Sequence, residues 1–361
     1  MRVAIAWHGL PYYGARLIRP VAAKLGDRIA VIATPGPQSS EEIEAALGAP
    51  IHIAPEDPDL SWRQLAIAAP DLFFHTGWAY ANFRSLAREV ERRGGTVVSM
   101  VDNSRKHSLR QVAGKRIFRW RYRPQIDLAM VPGASGLDLM KYLGMPDSSV
   151  YTGLYGADPE TFQPGPPWIE RPCHFLFAGQ FVPRKGLRGL VEAVNSLRSE
   201  GMVFRIAAVG AGPMRADLES AGIEVHPFAE APAVARMMRE ARFLVLPSIE
   251  DHWGMVAHEA ALSGCGLILS SGVGSHRDLL SARNGFLCEP GRPAPAMRQA
   301  LLADPQWLSA CLPESLRLAS KFGPERWSQV FEQIYAHAAA SQHAGAKPRS
   351  ENPVRRTLWL F

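Results

Sequence analysis

The stretch HFLFAGQFVPRKGL, residues 174–187, decides the fold. It is a short apolar run, then a turn holding glycine, proline and two cations, then the start of a helix. A run of four to seven residues without polar alternation is buried on both faces, as a strand of a parallel sheet is. The same unit recurs downstream: FRIAAVG (204–210) before a helix at 214–221, FLVLPS (243–248) before one at 254–263, then GLILSS (266–271). Upstream lie RVAIAW (2–7) with a helix at 14–25, RIAVIAT (28–34), DLFFHT (71–76) with a helix at 81–93, TVVSMVD (96–102), and DLAMVPG (127–133) with a helix at 135–143. Between the two series, residues 158–172 carry Pro159, Pro164, Gly165, Pro166, Pro167 and Pro172, a composition that suits a linker. The pattern predicts two Rossmann-like, doubly wound α/β domains facing a central cleft, over 1–165 and 166–322. A further helix is expected over 325–337, and a flexible tail over 341–361 apart from an apolar TLWLF end.

Composition narrows the classes. The chain has 361 residues, 47% hydrophobic and 20% charged, enough for two cores. No run of 18 or more apolar residues appears, so no membrane-spanning helix is expected. The N-terminus MRVAIAWHGLPYYG lacks the features of a signal peptide and reads as a first buried strand, so a cytoplasmic location is expected. Cys173, Cys265, Cys288 and Cys311 have no metal-ligand spacing and are predicted to be free thiols; no metal and no cofactor is expected.

Ligands of doubly wound sheets sit outside the carboxyl ends of the strands, so polar residues there are the candidates. Arg184 and Lys185 stand at a strand-to-helix turn, where two cations, free backbone N–H groups and a helix dipole suit a diphosphate. A solvated basic turn would look the same. After FLVLPS, Asp251 lies on the loop and Glu259 eight residues later in the helix, where both carboxylates could face one cleft and accept sugar or ribose hydroxyls; an acid at a helix N-terminus and an ordinary buried Glu would look the same. The glycines of Gly272-Val273-Gly274-Ser275 and Gly210-Ala211-Gly212 let backbone approach a ligand or simply turn tightly.

Taken in order, these motifs resemble the family 4 (group 1) retaining glycosyltransferases of the GT-B fold. The matching segments are GQFVPRKG (179–186), GAGP (210–213), LPS (246–248), DHWGMVAHE (251–259), GVGS (272–275) and NGFL (284–287). YGADPETF (155–162) is similar to the end of the family's first domain, through Gly156, Asp158 and Phe162. The resemblance implies transfer of a sugar from a nucleotide-diphosphate sugar to a sugar or lipid-linked hydroxyl acceptor, hexosyltransferase-like, metal-independent and retaining, in polysaccharide or glycolipid synthesis. It implies that Lys185 neutralises the donor diphosphate. The family's Arg falls on Gln180, and Arg184 supplies the second charge. Glu259 would bind the ribose and Asp251 the donor sugar, with the backbone of Gly254, Met255, Val256 and Gly274 alongside. Gly9 and Gly14 are the candidates where the family has paired glycines. His75 matches a family His near the donor sugar, although a buried, hydrogen-bonded core His is the other reading. The last helix, over 323–340, would cross back to the first domain.

Some features stand outside the resemblance. Asp57-Pro58-Asp59 has the DxD form of metal-dependent transferases but lies in a proline-containing loop and reads as surface charge. Residues 103–125 hold eight cations and no acid, with Leu109, Val112, Ala113, Ile117 and Trp120 at helical spacing. That segment either lies peripherally on an anionic membrane surface or packs on its own domain with a charged edge. No nucleic-acid module is recognisable. Two other functions share the scaffold: a sugar-nucleotide epimerase, against which the D-x(7)-E and RKG motifs argue, and a non-catalytic sugar-nucleotide binder, motivated by Gln180 and Asp251.

Overall fold

The apolar runs named above between residues 2 and 271 become parallel strands in the structure, a computed structural model that describes residues 1–105 and 109–343. Lys106, the side chains of Leu109 and Arg110, and the tail beyond His343 with its TLWLF end lie outside the described residues. The first sheet comprises β1 (Val3–Trp7), β2 (Ile29–Ala33), β3 (Ile51–Ile53), β4 (Leu72–Thr76), β5 (Thr96–Met100), β6 (Leu128–Val131) and β7 (Val150–Thr152), in the order β3-β2-β1-β4-β5-β6-β7. The second comprises β8 (Cys173–Ala178), β9 (Ile206–Val209), β10 (Glu224–His226), β11 (Ala241–Leu246), β12 (Gly266–Ser270) and β13 (Gly285–Cys288), in the order β10-β9-β8-β11-β12-β13. All pairings within the two sheets are parallel.

The helices are α1 (Tyr12–Leu25), α2 (Ser40–Leu47), α3 (Ala81–Arg92), α4 (Leu109–Ile117), α5 (Ala134–Leu143), α6 (Leu187–Ser199) and α7 (Arg215–Ser220). They continue with α8 (Ala231–Glu240), α9 (Met255–Leu262), α10 (His276–Leu279), α11 (Ala294–Leu301), α12 (Pro305–Ala319) and α13 (Pro324–His343). Strand order reverses between β1 and β4 in one sheet and between β8 and β11 in the other. Adjacent loops leave in opposite directions at those points and open a crevice at the strand ends.

Three departures from the sequence reading have physical causes. The edge strands β3, β7 and β10 are three residues long, too short for an apolar run to mark them. The proline-dense segment is packed rather than loose. Trp168 is buried against Phe243 and donates from Nε1 to the Gly264 carbonyl (2.8 Å). Arg171 is buried among carbonyls, donating to Pro166 (2.9 Å), Ala241 (2.8 Å) and Ser263 (3.1 Å), so its polar atoms are satisfied without a counterion. The basic segment is not one continuous helix either. α4 gives way at Phe118–Tyr122 to a π-helical turn, and buried Phe118 anchors it to the first domain.

Helix α13 runs longer than the spacing suggests and adds Trp327, Val330, Phe331, Ile334 and Ala338 to the first domain's core, against α1. The chain therefore crosses between domains twice. Further contacts join the two halves directly. The Asp278 carboxylate accepts from the backbone N–H of Ala134 at the start of α5 (3.1 Å), and Arg277 pairs with Asp138 on the same helix.

Candidate active site

The loops after β8 and β11, at the strand-order reversal of the second sheet, hold the predicted cations and carboxylates together. Lys185 is buried and forms an ion pair with Asp251 across the two loops. The backbone reinforces the link, since Ile249 N–H donates to the Arg184 carbonyl (2.8 Å). Arg184 is exposed, and its guanidinium donates to Gln180 Oε1 (3.0 Å). Arg184 and Gln180, four residues apart in the turn, thus meet at one place.

Asp251 is held by its backbone against the next loop, donating to the Gly272 carbonyl (2.9 Å) and accepting from Gly274 N–H (3.0 Å). A Cβ on Gly274 would overlap the His252 carbonyl, so only glycine lets these two loops touch. Nearby, Nδ1 of His252 and Oγ of Ser275 are buried without a hydrogen-bond partner among the described residues. Such residual capacity is uncommon in a folded protein and suits a polar ligand.

Helix α9 starts at Met255 behind Gly254, which places the first-turn N–H groups of Met255 and Val256 directly after the Asp251 loop with no side-chain cap. One turn on, Glu259 keeps some surface open to water but is closely surrounded by protein. Burial alone pushes its carboxyl up to about 7. It lies near enough to Tyr13 of the first domain to help raise that phenol's pKa, after burial and Asp102.

The opposing wall is aromatic. A cavity of about 390 Å³ at the carboxyl ends of β1, β4 and β5 is lined by Trp7, His8, Gly9, Tyr13, Trp78, Tyr80, Asp102 and Tyr155, among others. The Tyr155 hydroxyl donates to Asp102 (3.1 Å), and burial pushes the Tyr13 phenol up to about 12. His8 stacks on Tyr80, ring centroids 4.0 Å apart, with Nδ1 3.0 Å from Thr34 Oγ1. Gly9 lies in this wall. Gly14 does not: it sits in the first turn of α1, packed on Leu10 and Pro11. His75 is 2% exposed, with Nδ1 2.8 Å from the Gly77 carbonyl. Burial lowers its pKa to about 4, so it is neutral, with Nδ1 donating and Nε2 left as an acceptor. Sequence reasoning passed over His8, Asp102 and Tyr155. The strand-end rule that singled out Asp251 points equally to His8 after RVAIAW and to Asp102 after TVVSM.

Among the described residues no cluster of His, Cys, Asp and Glu is arranged to hold a metal ion. Asp57 accepts from its own turn, at Asp59 N–H (2.9 Å), and from Gln64 (3.1 Å).

Comparison with solved structures matches the fold over nearly the whole chain. Anabaena HepE in complex with UDP superposes with a TM-score of 0.74 at 14% identity, covering 93% of this chain and 100% of that one. The lipopolysaccharide outer core galactosyltransferase WaaB superposes with a TM-score of 0.65 at 15% identity, covering 93% and 100%. The fold is GT-B. Residues 172–303 match the family model described as glycosyl transferases group 1, the segment that carries Lys185, Asp251 and Glu259. In sequence, the chain is 30% identical over 184 residues to D-inositol 3-phosphate glycosyltransferase of Arthrobacter sp. (strain FB24), 47% of this chain and 44% of that protein. It is 33% identical over 162 residues to 2-deoxystreptamine glucosyltransferase of Streptomyces kanamyceticus, 41% of each. The matched segments thus span less than half the length of these curated relatives.

Proposed function

We propose that this protein transfers a sugar from a nucleoside-diphosphate sugar to a hydroxyl acceptor with retention of configuration, as a family 4 enzyme acting in polysaccharide or glycolipid synthesis. The observation that carries the reading is the meeting of Lys185, Asp251 and helix α9 with Glu259 at the β8/β11 reversal, within the segment that matches group 1 glycosyl transferases.

Lys185, Arg184 and the first turn of α9 supply positive charge for a diphosphate. Arg184 reaches the tip of Gln180, which supports its taking the place of the family's Arg. Glu259 accepts from the ribose hydroxyls, Asp251 positions the donor sugar, and the backbone of Gly254–Val256 and Gly274 lines the sugar and phosphates, while His75, buried and bonded to Gly77, fits the core reading instead. In the reaction the bond from the anomeric carbon to the diphosphate oxygen breaks, and a bond to the acceptor oxygen forms on the same face. The acceptor's proton passes to the departing diphosphate. Cations that stabilise that developing charge carry the catalysis, without a metal ion.

The aromatic wall of the first domain suits an acceptor ring, with Asp102 to accept its hydroxyls. Peripheral contact with an anionic membrane fits a lipid-linked acceptor. Val112, Ile117 and Trp120 are 55%, 54% and 60% exposed beside exposed Arg116, Arg119 and Arg121. Among the described residues no helix is long and apolar enough to cross a membrane.

The test is transfer from a panel of nucleotide sugars, beginning with UDP-glucose, to sugar and lipid-linked acceptors, with the product's anomeric configuration read by NMR. Retention, insensitivity to chelator, and loss of about 100-fold or more in Lys185→Ala and Glu259→Ala are expected. Transfer that survives both substitutions overturns the site assignment.

A further inference from the structure

The chain crosses between the domains at residues 154–158 and again at 319–323, and the crossings lie against each other. A Cβ on Gly156 would overlap the backbone of Gly323. One side chain holds both. His258, fully buried on α9, accepts at Nδ1 from the backbone N–H of Ala157 (2.8 Å). Its Nε2 lies 2.9 Å from the carbonyl of Ala319, to which it donates. The two bonds fix one tautomer and use both ring nitrogens. The aromatic rings of Trp253 and Phe322 pack beside the imidazole, with centroids 5.8 Å away in each case, and Trp253 also meets Tyr155 of the first crossing.

The next residue on the same helix is Glu259. Successive helical side chains diverge by about 100°. One face of α9 therefore looks into the cleft while the other is tied to the crossings. The first crossing is also tied to the first domain, where Arg16 of α1 pairs with Asp158 (3.0 Å). A rotation of one domain against the other must bend the crossings, and that motion reaches α9 through the His258 imidazole.

We propose that His258 is a positioning residue that couples occupation of the donor site on α9 to the relative placement of the two domains. The inference rests on the donor reading of Glu259 given above. Donor binding and cleft closure then share one rigid element, and loosening the pin lets a donor bind without setting the domains.

The experiment uses His258→Asn, whose amide oxygen replaces Nδ1 as acceptor, and His258→Gln, whose amide nitrogen replaces Nε2 as donor. Folding is checked by circular dichroism and thermal melting. Small-angle X-ray scattering is recorded with and without the nucleotide sugar that the unsubstituted protein binds, and donor KM and kcat are measured. Compaction on binding in the unsubstituted protein, reduced in both variants, with donor KM raised about tenfold and kcat changed less, is the expected result. In the unsubstituted protein the Ala157 amide should also exchange its hydrogen more slowly once the nucleotide sugar is bound, a readout that needs no variant. A merely structural His258 would lower the melting temperature yet leave compaction and KM as they are. That outcome, or unchanged exchange at Ala157, overturns the inference alone. If the unsubstituted protein binds no nucleotide sugar, the donor reading fails first and takes the inference with it.

Discussion

Burial of Glu259 on α9 carries a cost in stability. The unfolded chain ionises it near its ordinary 4.5, whereas burial in the folded protein raises this to about 7. Between those values the folded state holds the extra proton, so stability falls as pH rises through the window and levels off above about 7. At about 1.4 kcal/mol per pKa unit, the loss is ~3 kcal/mol at most. Glu259→Gln removes the ionisation. Denaturant unfolding should show the variant more stable than the unsubstituted protein at pH 8, with the gap closing at pH 5. An equal difference at both pH values would show that burial does not penalise this carboxylate. Lys185 poses the opposite case. Removing it leaves Asp251 largely buried without its partner, which costs about 3–5 kcal/mol in such pairs. Lys185→Ala should therefore melt lower as well as lose transfer, and Lys185→Ala/Asp251→Asn should recover part of the stability but not the transfer. Lys185, Asp251 and Glu259 were legible in the sequence because motif spacing fixes them on loops and a helix of known order. His8 and Asp102 stand at strand ends that the same rule covers, but that they meet Tyr155 in one wall depends on which first-domain strands lie side by side, and the sequence does not show that.

At the scale of elements, the loop between β12 and α10 and the start of α9 form one surface through Gly274. A methyl group there would push the loop off His252. Since displacement by about 1 Å can cost about 100-fold, Gly274→Ala should cut turnover by that order, and the backbone overlap should lower the melting temperature as well. Steady-state kinetics checks this, and near-normal turnover would place the donor elsewhere. Segment α4 with its π-helical turn makes a second prediction. Ile117→Ser/Trp120→Ser should weaken co-sedimentation with vesicles rich in anionic lipid, and raised salt should do the same through screening. Binding that ignores both would favour a helix that serves only its own domain. The alternation of apolar runs and helices made the long central strands legible. The three-residue edge strands and the break at Phe118 escaped because neither leaves a periodic signature.

At the scale of the molecule, two parallel sheets are bound by two crossings, an α5–α10 contact and a returning helix. Trp327 on α13 is fully buried and stacks on Phe331 in the first domain's core. Trp327→Ala should cost about 3–5 kcal/mol in chemical denaturation, and a loss below about 1 kcal/mol would contradict α13's place in that core. The two-domain layout could be read from the restart of the strand series after the prolines. The packing of those prolines on the second domain could not, since composition alone does not distinguish a packed segment from a free one. On the function proposed above, the second domain holds a nucleoside-diphosphate sugar between Lys185 and Glu259. Isothermal titration calorimetry against nucleoside diphosphates and their sugars tests it most directly. Saturable binding of one of them, weakened about tenfold or more in both Lys185→Ala and Glu259→Ala, is the predicted result; binding of none, or binding equally tight in both variants, would contradict it.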